Sequence, residues 1–239
     1  MIPIKDDIPS TSFPVVTVTI IGLNCAVFLF QMLLGAQSER FVSAFGVIPY
    51  ELTRFKDIPP YTPIPLPLTI LTSMFLHGGL AHLFGNMIYL WIFGDNVEDA
   101  MGHFRFAVFY LLCGLAAAVT QVMVSPSSTV PMIGASGAIS GVLGAYLLLY
   151  PHARVLTLIF LGFFIETVRV PASILLSFWI IIQFLSGAFS LSTRSLSGGV
   201  AWFAHIGGFI MGMLLISSFK KPQRRLGIRR YIDRNETRW

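Results

Sequence analysis

The sequence predicts an all-α, polytopic membrane protein with six transmembrane helices. Three observations lead there. Of 239 residues, 55% are hydrophobic and only 11% charged, with a mean hydropathy of +0.76, whereas a soluble domain is about 25% charged. Uncharged runs recur at or beyond the ~20 residues that one helical span needs. Charge gathers at one end: between Lys220 and Trp239, eight basic residues stand against Asp233 and Glu236, a net +6, which leaves the rest of the chain at −1. A basic tail directly after an apolar segment reads as cytoplasmic, held by the positive-inside rule and by anionic lipid. The bilayer is therefore the expected partner of this charge, and nucleic acid is not.

The elements follow in order. Residues 1–14 form a short polar lead with Lys5, Asp6 and Asp7. It lacks a net basic region and the first apolar run is long, so a cleaved signal peptide is not expected. Val15 to Gly35 is uncharged and suits the first span, with Asn24 predicted to make a helix–helix hydrogen bond. Glu39 to Asp57 is charged and lies outside the bilayer core. Pro59, Pro60, Pro63, Pro65 and Pro67 come next, at a density no helix tolerates. That half of the uncharged run Ile58 to Gly94 reads as a membrane-surface or partly embedded loop. Helix two then runs from Gly79 or Leu80 to about Gly94, closed by Asp95, Glu98, Asp99 and Gly102. Two spans, at about 104–124 and 133–150, are divided by the turn chemistry of Ser125 to Pro131. Val155 to Ile165 is too short to span and reads as interfacial or re-entrant. Val170 to Thr193 and Ser195 to Phe219 supply the fifth and sixth spans. The organisation is a lead (1–14), a six-helix bundle (15–219) and a basic tail (220–239), with both termini cytoplasmic.

Unusual polar residues fall at one depth in that arrangement. Helices two, four and six all run from outside to inside. His82 and Asn86 lie early in helix two, Ser136 early in helix four, and His205 about seven residues into helix six. At 1.5 Å per residue, all four sit within about 10–15 Å of the outer ends of their helices. His82 and Asn86, at i and i+4, share a face. Ala201, His205, Gly208 and Gly212 form a small-residue seam on helix six, facing Ser136, Ser140 and Gly144 on helix four, so the two backbones can come close. Gly137 and Gly141 also make a GxxxG pair, for which simple helix packing is the rival explanation. His77, His103 and His152 are expected at interfaces, where a polar tip costs little.

Ionisable groups at membrane depth mark functional sites by default. Ser136 needs a base to attack a carbonyl at neutral pH, and His205 can take its proton and return it to a leaving amine. Helices four and six carry no Asp or Glu, so a serine–histidine dyad is predicted rather than a triad. The oxyanion would draw on Asn86, His82 and the Ser136 backbone N–H. Cys25 and Cys113 lie in apolar segments and no HExxH is present, so neither a disulfide framework, a metal nor another cofactor is expected.

His82-Leu-Phe-Gly-Asn86, Gly134-Ala-Ser-Gly137 and Ala204-His-Ile-Gly-Gly208 with Gly212, in that order and on those helices, resemble the rhomboid intramembrane serine proteases over about Val15 to Phe219. The resemblance implies a six-helix rhomboid-like bundle and transmembrane proteins as substrates. It assigns Ser136 as nucleophile, His205 as general base and acid, His82 and Asn86 as oxyanion donors, and Gly134 as the motif glycine. Two features depart from the family pattern. Ser140 stands where many bacterial members have a Tyr that packs on the catalytic His, and no Trp occurs between Ala36 and Gly79. Orientation of His205 then falls to Trp202 or a helix-four neighbour. Two other classes compete: a non-catalytic adaptor of the same fold that binds client helices, and a small-solute transporter or channel. The Ser136–His205 pair argues against the first, and the lack of comparable polar residues in the inner half argues against the second.

Overall fold

The structure, a computed structural model, describes residues 2–161, 164–193 and 200–221. The basic tail beyond Lys221 and the first residues of the expected sixth span lie outside the described residues. Nine helices are described: α1 (Val15–Leu33), α2 (Ser38–Phe45), α3 (Pro49–Arg54), α4 (Thr69–Ser73), α5 (Leu80–Met101), α6 (His103–Val124), α7 (Ser136–Leu149), α8 (Ala172–Thr193) and α9 (Trp202–Phe219). Among them, α1, α6, α8 and α9 are long and apolar enough to cross a membrane; α7 is a shorter apolar helix of 14 residues. The chain is thus mostly helical and membrane-embedded, with a core formed where α5, α6, α7 and α9 meet around Phe93, Phe106, Phe109, Val142 and Tyr146.

The all-α expectation needs one correction. Strands β1 (Ile2–Lys5), β2 (Arg154–Leu161) and β3 (Phe164–Pro171) form an antiparallel sheet in the order β1-β2-β3. Arg154 pairs with Pro171 and Leu161 with Phe164, without a register slip between. Val155, Thr157, Ile159, Thr167, Val168 and Val170 are β-branched residues that favour a pleated surface. The segment read as interfacial or re-entrant is therefore half of a hairpin, and the lead read as merely polar contributes its third strand.

Helix α5 also runs past its predicted end, because its acidic residues are used rather than solvated. Glu98, almost fully buried, accepts from the Val16 and Thr17 N–H groups (2.9 and 2.7 Å) and from the Thr17 hydroxyl (2.7 Å). It thereby satisfies free donors in the first turn of α1. Asp99 accepts from Thr11 and Ser12, and Asp95 from Ser10. Asn24 does not bridge helices as expected: its Nδ2 donates to the Ile20 carbonyl one turn back in α1 (2.8 Å).

The stretch between α1 and α5 packs over the α6–α7 connection. Val47 and Met132 exchange backbone hydrogen bonds (3.1 and 2.7 Å), Tyr50 N–H donates to the Ser128 carbonyl, and the Thr53 hydroxyl donates to the Pro126 carbonyl. These contacts hold the approach to α7, on which the site depends.

Candidate active site

Ser136 is the first residue of α7, and the turn that delivers it is built on Gly134. That glycine has φ +119°, which L side chains rarely adopt. A Cβ there would lie 2.8 Å from His82 Nε2, so any side chain would strike the neighbouring helix as well. The Gly134 N–H donates to the Ser73 carbonyl (2.9 Å), fixing the turn against the end of α4.

Helices α7 and α9 run side by side in the same direction, almost backbone to backbone. A Cβ on Gly208 would collide with the Gly137 carbonyl, one on Gly212 with the Gly141 carbonyl, and one on Gly144 with the Phe209 carbonyl. The seam on α9 is the predicted one; on α7 it consists of Gly137, Gly141 and Gly144, while the buried Ser140 turns its hydroxyl onto the Ser136 carbonyl (2.6 Å). Packing and chemistry are not rivals here, because close packing is what lets a side chain as short as serine reach across. Ser136 Oγ lies 2.8 Å from His205 Nε2.

The other face of His205 is held from α8, which the sequence reading missed. Its Nδ1 lies 2.8 Å from Gln183 Oε1. The Trp179 ring packs at 5.8 Å and 37° to the imidazole, and Trp202 meets it perpendicularly at 6.3 Å. Trp202 is thus one neighbour, as expected; apart from Ser136 itself, the hydrogen bond and the nearer ring packed on His205 come from α8. The available signal was an amide alone among the apolar residues of the fifth uncharged run.

His82 and Asn86 stand beside Gly134, one turn apart on α5. The Gly78 N–H points to His82 Nδ1 (3.4 Å), which leaves the ring proton on Nε2, the atom that faces the turn before Ser136. Asn86 Nδ2 donates one hydrogen to His77 Nε2 (2.9 Å) and retains a second. Two side-chain N–H donors therefore flank the entry to α7. A cavity of about 30 Å³, lined by Ser136, Gly134, Ser73, Ala117 and Ala201, has room for about two water molecules.

His77 was expected at an interface, and the structure overturns that. It is 1% exposed, bonded to Asn86 and edge-on to the His82 ring at 5.0 Å. Gln31 of α1 draws it inward, accepting from the His77 N–H (3.1 Å) and donating to its carbonyl (3.0 Å). His103, which pairs with Glu98 at 2.6 Å, is half exposed, and His152 is exposed, as their positions at helix ends suggested.

Comparison with known proteins bears on the same region. The chain is 28% identical to the mitochondrial Rhomboid protein 1 of Saccharomyces cerevisiae over 200 residues, covering 82% of this chain and 50% of the relative. It is 34% identical to the Rhomboid protease GluP of Bacillus subtilis over 154 residues, or 64% of this chain and 26% of the relative. With the chloroplastic Rhomboid-like protein 11 of Arabidopsis thaliana it shares 31% identity over 171 residues, covering 70% and 58%. The chain thus spans between about a quarter and three-fifths of the length of these relatives. A family model described as Rhomboid domain matches residues 67–221, a stretch that holds the whole of this site, and the chain belongs to the rhomboid family.

Proposed function

We propose that this rhomboid-family chain is an intramembrane serine endopeptidase. It hydrolyses peptide bonds in or near the transmembrane segments of other membrane proteins, through a Ser136–His205 dyad. The observation that carries the reading is the 2.8 Å approach of Ser136 Oγ to His205 Nε2 across α7 and α9. Ser136 Oγ attacks the scissile carbonyl while His205 Nε2 takes its proton. The developing oxyanion accepts from His82 Nε2–H, Asn86 Nδ2–H and the Ser136 backbone N–H. His205 then returns the proton to the leaving amine, and water from the adjoining cavity repeats the sequence on the acyl-serine. No cofactor or metal enters this scheme. The protease domain is the six-helix bundle of residues 15–219, flanked by the lead (1–14) and basic tail (220–239). Both termini lie in the cytoplasm and the site opens outward, so a phosphatase that works only outside the cytoplasm should be silent when fused to Trp239.

The test is fluorophosphonate labelling of the purified protein with the modified residue mapped, alongside cleavage of a reporter transmembrane substrate. Label should appear on Ser136, and Ser136→Ala should lose both label and cleavage while remaining folded in detergent. A wild-type protein that neither labels nor cuts would instead be an adaptor of the same fold.

A further inference from the structure

Both ring nitrogens of His205 are engaged, and the engagement on the α8 side specifies the state of the ring. Gln183 is buried and its amide can be oriented only one way: Nε2 donates to the Trp179 carbonyl one turn back (3.2 Å), so Oε1 is the atom 2.8 Å from His205 Nδ1. An amide oxygen only accepts, so Nδ1 carries the ring proton and Nε2 presents its lone pair to the Ser136 hydroxyl. We infer that Gln183 is a positioning residue of this site, holding His205 in the one tautomer and orientation that can take the Ser136 proton. The inference rests on the protease reading above.

A third group beyond the base is needed because imidazole has two tautomers and a free ring bond. With the proton on Nε2, His205 could not accept from Ser136 at all, and in serine hydrolases with a misassigned tautomer the loss reaches about 10⁴-fold. The usual orienting group is a carboxylate, which also stabilises the imidazolium. Neither α7, α8 nor α9 bears one over its described length. An amide supplies the orientation without placing an ion in an apolar helix, where a buried charge is costly. Trp179 has two parts in the same device: its carbonyl fixes the Gln183 amide and its ring packs on the imidazole.

Gln183→Met keeps the length and volume of the side chain but removes the acceptor, whereas Gln183→Glu keeps an acceptor oxygen at the same reach. Three readouts separate positioning from structure: kcat and KM on the reporter substrate, the rate of fluorophosphonate labelling at Ser136, and the unfolding midpoint in detergent. Gln183→Met should lose about 10²-fold in kcat and in labelling rate, the scale of a misplaced catalytic group, with KM changed less than about twofold and the midpoint near wild type. Gln183→Glu should regain most of the rate. If Gln183→Met does not fold, Gln183→Asn, whose oxygen stops one methylene short of Nδ1, carries the same expectation. The inference is overturned if these variants work at the wild-type rate, or if Met and Glu variants lose equally in step with the midpoint. It is lost with the protease reading if wild-type Ser136 takes no label, a result distinct from a labelled wild type and an equally labelled variant.

Discussion

Asn86 commits one amide hydrogen to His77 and keeps the other beside the turn that enters α7. A donor held in this way strengthens its bond only as charge develops on a substrate oxygen, so its removal should appear in turnover rather than in binding. Asn86→Ala should lower kcat by about 10²-fold at nearly unchanged KM, and His82→Ala should do likewise. The double variant should lose less than the product, because each donor partly covers for the other. A rise in KM at constant kcat would move the residue concerned to the substrate-entry surface. Asn86→Ala also leaves the buried His77 Nε2 without a donor, at a cost of about 1–3 kcal/mol, so its rates belong well below its lowered midpoint. Ser136, His205, His82 and Asn86 were legible in the sequence because motif, helix face and depth agree for each. His77 was not, since what buries it is Gln31, 46 residues earlier. Gln183 was visible as a lone amide in an apolar run, but no helical spacing ties it to a histidine on the next element.

At the scale of elements, the α7–α9 contact sets the Ser136–His205 distance by backbone, not by side chains. Gly212→Val puts two methyl groups where the Gly141 carbonyl stands, so α7 and α9 must separate. Overpacking of this kind costs about 1–3 kcal/mol, and a shift of even 1 Å at the dyad can cost ~10²-fold in rate. The variant should therefore insert and remain helical by circular dichroism, yet cut and label far more slowly than wild type. Wild-type labelling would mean that the dyad spacing does not depend on this contact. The long helices α1, α5, α6, α7, α8 and α9 were read to within a few residues, apart from the C-terminal end of α5, the start of α7 and the start of α9; the short helices α2, α3 and α4, set in a charged and proline-rich stretch, were not read. The sheet was not read at all. The apolar run at 155–165 hides its alternation because the half-exposed face of β2 carries Leu156 and Leu158 while Val155 and Thr157 are buried on the other, and its partner β1 lies about 150 residues away, beyond any local pattern.

For the molecule as a whole, the lead is a strap across one end of the bundle rather than a loose tail. Tyr146 donates to Asp6, the Arg154 N–H donates to Asp7, Asn96 donates to the Ile8 carbonyl, and Ser10 to Ser12 bond the acids at the end of α5. Burial, reinforced by Asp95 and Asp7 against the opposing hydrogen bond from Tyr146, pushes the Asp6 carboxyl from 3.8 up to about 6. The folded chain then holds this proton more tightly than the unfolded chain. Its stabilising contribution is complete below about pH 4 and is lost as pH rises through about 6. Asp6→Asn, which cannot titrate, should match wild type in midpoint near pH 4 and stand above it at pH 7. Unfolding midpoints in detergent across that range provide the check, and parallel curves for the two proteins would uncouple Asp6 from folding.

Glu98 has a consequence in time. The first turn of α1 has its Val16 and Thr17 amides satisfied by a carboxylate some 80 residues further along the chain. A ribosome delivers α1 long before it delivers Glu98, so that helix begins life with its first turn uncapped. Only when α5 arrives do the two close on each other, so α1, though made before its partner, is completed only after it.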